Sequence, residues 1–333
     1  MKRLTMSLFF ILLIIFSAEE SKAQGRNTNM IICSDGSNDI AAILKANNFN
    51  YRNIPDQLAA VKAAKNGSGV LFVANDYPQK RFSFAKGVRE LIAKKKLKVF
   101  IEFPQAYPDL SIGSDTVKTQ LERAVINTSQ IKGIDSLDLI GIHNAYVVKS
   151  TAKNPLIIVA KVAGFDNAQY GISDVKPAPL LFKQGNVLVA TTRLSASVTS
   201  RFGPVDHLKP VWQYIFKYLD PSVNWQFPNW PLQVKPMHEA SVKLSENDYK
   251  NAIQKGTDWF YKGKFLVHPE WEPLFLKRQG DGSDVAGPPL SQNLPVGDGT
   301  LGVLEGHLSR IQMDGSQIYR YWMRADCNAE VAY

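Results

Sequence analysis

The sequence predicts an α/β domain with a parallel sheet, followed by an all-helical segment. Three observations carry this. Between residues 29 and 219 short apolar runs alternate with amphipathic helical patterns. A stretch rich in Pro and Trp after Asp220 breaks the alternation, and beyond it apolar residues recur only at helical intervals.

The first element is a leader. Lys2 and Arg3, the apolar run LFFILLIIF at 8–16 and Ser21-Lys22-Ala23 have the three parts of a signal peptide. Residues 1–23 are therefore expected to be removed and the chain to be periplasmic or secreted. The apolar run is shorter than the roughly 20 residues of a membrane span, so no membrane contact is expected after cleavage. NMIICSD then reads as a buried strand, and NDIAAILKANN as a helix capped by Asn38 or Asp39. PDQLAAVKAAKNG is a second helix, with Pro55 near its start and Gly67 closing it. GVLFVAN, SFAKGVRELIAKKK and LKVFIEF give strand, helix, strand. DLIGIHNAYVV, PLIIVAKVAGF and GNVLVATTRLS are further strands. HLKPVWQYIFKYL is the closing helix, with Val211, Tyr214, Ile215 and Tyr218 on one face. Unbroken apolar strands joined by helices mean a parallel sheet covered on both faces, in a domain spanning 25–222.

Ligands of such sheets collect beyond the carboxyl ends of the strands. Ser34-Asp35-Gly36-Ser37, Asn75-Asp76-Tyr77, Glu102-Phe103-Pro104 and Thr191 to Ser195 lie there, although the same residue types serve as caps and turns. No glycine-rich phosphate motif follows the first strand, which disfavours dinucleotide and P-loop chemistry, and no cofactor is expected. Cys33 and Cys327, the two cysteines, fall in different parts of the chain and read as free thiols. Cys33 has neither a positioned base nor a glycine frame to activate it. The five histidines lack metal-ligand spacing, and Asp281, Asp284 and Asp298 do not follow an EF-hand pattern, so no metal is expected. The net charge is +9, and about +8 without the leader, which holds three cations and two anions. Lys94-Lys95-Lys96-Leu97-Lys98, the densest run, sits at a helix end, where cations complement the dipole. No aromatic-and-basic signature of nucleic-acid binding accompanies it. A basic exported chain suits an acidic polysaccharide, nucleic acid or an anionic surface, and the same lysines read equally as solvated surface charge.

Residues 223–237, within DPSVNWQFPNWPLQVKP, form a linker whose aromatics are expected to pack at a domain boundary; Trp230 is also a candidate for sugar stacking. In the last part, 238–333, Ser245 and Asp248 read as a capping-box variant. Tyr249, Ala252, Ile253, Gly256, Trp259 and Phe260 would line one face of the helix that follows. After an irregular stretch at 264–300, TLGVLEGHLSRIQM and a terminal helix from Ile318 are expected to pair as an antiparallel hairpin. Two carboxyl groups roughly 5 to 9.5 Å apart can divide the roles of acid and of base or nucleophile. Glu305 and Asp326 are the candidate catalytic residues; Glu330, four residues beyond Asp326, reads as a surface charge. Arg324, His307 and Trp230 are the candidate substrate contacts, with Arg324 expected to project away from Asp326 on the helix.

VLVATTRLSASVTSRFGP, the VWQYIFKYL helix and the spacing of the early strands resemble the class I glutamine-amidotransferase-like fold. The likeness is to the trehalose-utilisation-type and trimerisation-type versions that serve bacterial carbohydrate enzymes as accessory domains. It implies a flavodoxin-like sheet and self-association into a homo-oligomer through this domain. The strand end equivalent to the nucleophile position, VFIEFPQAYP, has no cysteine, which implies a catalytically silent domain. WFYKGKFLVHPEW and GDGTLGVLEGHLSRIQMDGSQIYRYWMRADCNAEVAY resemble the start of six-hairpin, (α/α)6-toroid glycosidases. With room for barely two hairpins and no cap on the last helix, the segment reads as an incomplete toroid. The chain is expected to be the N-terminal portion of a secreted glycoside hydrolase acting on a polysaccharide or oligosaccharide, inactive by itself. A non-catalytic glycan-binding or oligomerisation module is the alternative, and an amidotransferase-like enzyme a remote one.

Overall fold

Alternation along the first strand decides how the first domain is layered. β1 (Arg26–Cys33) sends Met30 and Ile32 into one apolar core and Ile31 and Cys33 into another. The computed structural model describes residues 26–36, 38–107, 109–142, 144–196, 202–231, 238, 242–279, 286–307 and 318–332. The expected leader lies outside the described residues.

α1 (Asp39–Ala46) opens on Asn38, whose side chain accepts the Ala41 N–H at 2.9 Å, as the sequence predicts. β2 (Phe49–Asn53) and α2 (Gln57–Ala63) follow, the helix capped by Asp56 and ending at Ala64, three residues before Gly67. β3 (Gly69–Phe72), α3 (Val88–Lys95) and β4 (Lys98–Glu102) match their patterns. Lys95 at the end of α3 reaches back to α2 and donates to the carbonyls of Val61, Lys62 and Ala64, capping that helix from outside.

The remainder of the domain departs from an all-parallel sheet. β5 (Ile112–Lys118) and β8 (Tyr146–Ser150) form a separate two-stranded ribbon. β6 (Arg123–Ile126), β7 (Leu139–Ile142), β9 (Ile157–Ala160), β10 (Ala178–Gln184), β11 (Val187–Ala190) and β12 (Phe202–Gly203) join a ten-stranded sheet. Its order is β12-β7-β6-β9-β10-β11-β4-β3-β1-β2. From β2 to β11 the strands are parallel; from β11 to β12 every pair is antiparallel. The expectation of a parallel sheet throughout is corrected here, and the reason is loop length. Only Gly185 and Asn186 separate β10 from β11, and parallel neighbours need a crossover of a dozen residues or more.

α1 and α4 (Val205–Leu219) cover one face of the parallel half, and α2 and α3 the other. On α4, Trp212, Ile215 and Phe216 are fully buried, each worth roughly 2–3 kcal/mol of burial. Trp225 and Phe227 of the linker join the same core, packed between Phe49 and Phe216 with Trp225 stacked on Phe216, and Trp225 Nε1 donates to the Asp220 carbonyl at 2.9 Å. These two aromatics therefore finish the first domain instead of bridging to the next part.

In the last part, α5 (Glu246–Lys262) starts with the predicted capping box: Asp248 N–H donates to Ser245 Oγ and Ser245 N–H to Asp248 Oδ2. Its expected apolar face is largely uncovered, with Tyr249 and Ile253 exposed. A 3-10 turn (Pro269–Trp271) leads into α6 (Glu272–Gln279). β13 (Ala286–Gly287), β14 (Gly306–His307) and β15 (Tyr319–Arg320) make a small antiparallel sheet, and α7 runs over Ala325–Ala332. The expected helical hairpin is thus corrected. Val303 makes a β-bridge to Leu266, Gly306–His307 and Tyr319–Arg320 are strand, and the last helix starts seven residues after Ile318. Tyr319 and Tyr321 are held in an aromatic cluster with Phe265 and Trp271, and that packing overrides the helical spacing. Residues 308–317 of the expected hairpin, and Asp281 and Asp284, lie outside the described residues.

Gly69 begins β3 directly beneath the end of α4; a Cβ there would lie 2.5 Å from the Leu219 carbonyl oxygen. Gly69→Ala is expected to cost about 1–3 kcal/mol by overpacking, read as a lower urea midpoint at unchanged m-value.

Candidate functional site

The parallel strands run in the order β2-β1-β3-β4-β11, so the chain leaves β1 toward one edge and returns from β2 to the other side of β1. The carboxyl ends of β1 and β3 diverge at this reversal and open a crevice, the usual place for a ligand in such sheets. A crevice of about 140 Å³ is present there, lined among others by Cys33, Gln57, Asn75, Asp76, Arg81 and Ser83.

Most polar groups at this end of the sheet serve the fold. Ser34 Oγ donates to Asn53 Oδ1 at 2.9 Å and accepts from Asn38 Nδ2 at 2.8 Å, fixing the turn after β1. Gln57 bonds the main chain of Ser83 and Ala85. The Arg81 guanidinium donates to the carbonyls of Pro104, Gly113 and Ser114 at 2.8–2.9 Å. Tyr77 Oη accepts the Tyr146 N–H at 2.6 Å and lies 3.1 Å from Thr192 Oγ1.

Glu102 is the group that sequence reasoning underrated. It is fully buried at the end of β4. Its carboxylate accepts the Ala74 N–H at 2.9 Å, the Ser195 N–H at 3.0 Å and the Ser195 hydroxyl at 2.6 Å. Ser195 Oγ in turn accepts from Arg193 Nε at 3.2 Å. Burial pushes the Glu102 carboxyl above its ordinary range, against the opposing pull of Arg193 and of the Ser195 and Ala74 donors. An apolar strand ending in Glu, opposite a Thr- and Ser-rich strand end, was the available signal.

The next residue, Phe103, has φ +49, a left-handed conformation uncommon for an aromatic residue. Its ring is buried edge-to-face on Tyr77 at 4.7 Å. Nucleophile elbows present a reactive side chain at a strained turn between a strand and a helix; here β4 leads on to the strand β5 and the left-handed position holds an apolar ring. The nearby thiol of Cys33 is buried, donates to the Pro55 carbonyl at 3.2 Å, and is pushed up to about 12 by burial and by Asp56. Such a thiol is not a nucleophile near neutral pH.

The candidate residues of the last part form a chain of ion pairs. Glu305 Oε1 accepts from Arg320 at 2.6 Å and lies 3.6 Å from Arg324. Arg324 also clamps Asp326, at 2.5 and 3.1 Å. On one continuous helix Arg324 would project away from Asp326. Because α7 starts at Ala325, Arg324 precedes the helix and folds back onto the carboxylate. The Arg324 hydrogen bond and the Cys327 N–H hold Asp326 below the ordinary carboxylate range, the opposite of what a general acid requires. Glu330 is exposed on α7. His307 is enclosed by Tyr319, Phe265 and Trp259 at ring distances of 4.8–5.7 Å, and burial lowers its pKa. Trp230 is half-buried against Phe227 at 6.0 Å, remote in sequence from the other candidates. Among the described residues no group of three or more His, Cys, Asp or Glu could hold a metal ion, and no helix is long and apolar enough to cross a membrane.

Compared with known proteins, the chain matches no protein-family model and no curated sequence.

Glu102→Ala would leave three buried donors unsatisfied and is expected to cost about 3–5 kcal/mol in chemical denaturation. Glu102→Gln should be milder and should alter the pH profile. A carboxyl with a raised folded-state pKa contributes stability that is present at low pH and is lost as pH climbs from the ordinary range to the raised value. The midpoint of the parent protein should fall across that window more steeply than that of Glu102→Gln.

Proposed function

We propose that this chain serves an exported glycoside-hydrolase system, and that the residues described here bind carbohydrate without cleaving it. The resemblance of the first domain to amidotransferase-like accessory domains, and of the last part to toroid glycosidases, supplies the carbohydrate context. The leader-like residues 1–23 supply the export. One observation carries the non-catalytic reading: Glu305 and Asp326 share Arg324, so both carboxylates are arginine-paired and Asp326 has a lowered pKa. Asp326 therefore lacks the proton-holding environment of a general acid. The amidotransferase alternative is disfavoured by the buried, high-pKa thiol of Cys33 and by Phe103 at the strained strand end.

Three measurements test this. The purified chain is expected to release no product from aryl glycosides; hydrolysis that disappears in Asp326→Asn would overturn the reading. In native protein at neutral pH, iodoacetamide is expected to label the more accessible Cys327 and to spare Cys33 until denaturant is added, with mass spectrometry locating the adducts. Glutaminase activity lost in Cys33→Ala would restore the amidotransferase alternative.

A further inference from the structure

The antiparallel half of the sheet carries a much larger cavity than the strand-end crevice, about 540 Å³ against about 140 Å³. Only the larger falls within the roughly 300–1,000 Å³ of small-ligand sites. It opens where the end of β9, the start of β10 and the segment between them meet the end of β5.

Its walls combine apolar and charged groups. Val175 and the exposed Val117 provide apolar surface, and five charged side chains surround it. Two of these balance each other: Lys161 approaches Glu122 at 3.8 Å, and Glu122 also accepts the Gln120 N–H at 2.7 Å. Lys118 and Lys176 have no carboxylate partner among the described residues, and Asp174 is the remaining acid, so the lining has a net positive charge. Lys118 lies over the Tyr146 ring at 5.4 Å, which positions its ammonium group.

Apolar surface beside hydrogen-bonding charges suits a sugar ring, which presents C–H on its faces and hydroxyls at its edge. The same 161–177 segment that walls the cavity bears Phe165 and Tyr170, 93% and 80% exposed, the most exposed large hydrophobic side chains among the described residues. Exposed rings of this kind offer stacking surfaces to carbohydrate.

We propose that this cavity binds a uronic-acid unit of an acidic glycan. Lys118 and Lys176 hold the sugar carboxylate, Asp174 accepts a sugar hydroxyl, and Val175 beside Val117 takes the C–H face. This rests on the carbohydrate-binding reading above and names the ligand class.

The test is calorimetric titration of the full chain with an oligogalacturonate and with a neutral oligogalactan of equal length, repeated on the K118A/K176A variant. Both lysines are exposed, so the variant should keep the parent unfolding midpoint. The oligogalacturonate should bind more tightly than the neutral glycan, weaken with added salt, and lose about tenfold in affinity in the variant. Equal oligogalacturonate binding by parent and variant, or preference for the neutral glycan, would overturn the proposed site while leaving carbohydrate binding intact. Binding of neither glycan would overturn both.

Discussion

Glu102 is the constraint on which the carboxyl end of the parallel sheet depends. Sheet hydrogen bonds stop where strands stop, and the loops after β3 and β11 must then find other partners or diverge. One buried carboxylate takes the Ala74 N–H from the first loop and the Ser195 N–H and hydroxyl from the second. It thereby joins both loops to the end of β4. Burial disfavours the charged form of this carboxyl, and the three donors together with the nearby Arg193 oppose that penalty. The same arrangement makes this end of the sheet poor ground for chemistry, because its donors face inward to Glu102 and the adjoining strained position holds the Phe103 ring.

The two halves of the sheet divide the labour of stability and recognition. The parallel half is sealed on both faces by helices, with Trp225 and Phe227 closing one core from beyond the last helix. What space remains at its switch point is small and largely bounded by groups that already have main-chain partners. On the antiparallel half the long 161–177 connection lies across one face, and its residues Val162, Ile172 and Val175 pack against strand side chains. A connection packed that way leaves room at its margin, and the larger cavity forms there.

Local chemistry was readable from the sequence. Asn38 and Ser245 cap the helices their neighbours predict, and the apolar runs of β1, β3 and β4 form strands where expected. β2 was not readable, because FNYRN alternates polar residues at a sheet edge and carries little apolar signal. The Gly185-Asn186 turn was a hairpin signal that the buried-strand pattern obscured. The helical spacing through Ile318, Tyr321 and Trp322 misled because aromatic packing around Phe265 and Trp271 favours an extended path. Of the candidate site, the residue types were visible, but the Arg324 clamp on Asp326 depended on where a helix begins, and helix starts are poorly fixed by pattern.

The sequence by itself determined the strands β1, β3 and β4, the capped starts of α1 and α5, and that Cys33 lacks the surroundings of a nucleophile, since these follow from residues adjacent in the chain. Tertiary structure alone decided the direction of the strands, the three-donor burial of Glu102, the arginine pairing of Glu305 and Asp326, and the cavity beside Lys118 and Lys176. Each of these joins groups far apart in sequence or turns on how an element packs, and local periodicity contains no record of such contacts.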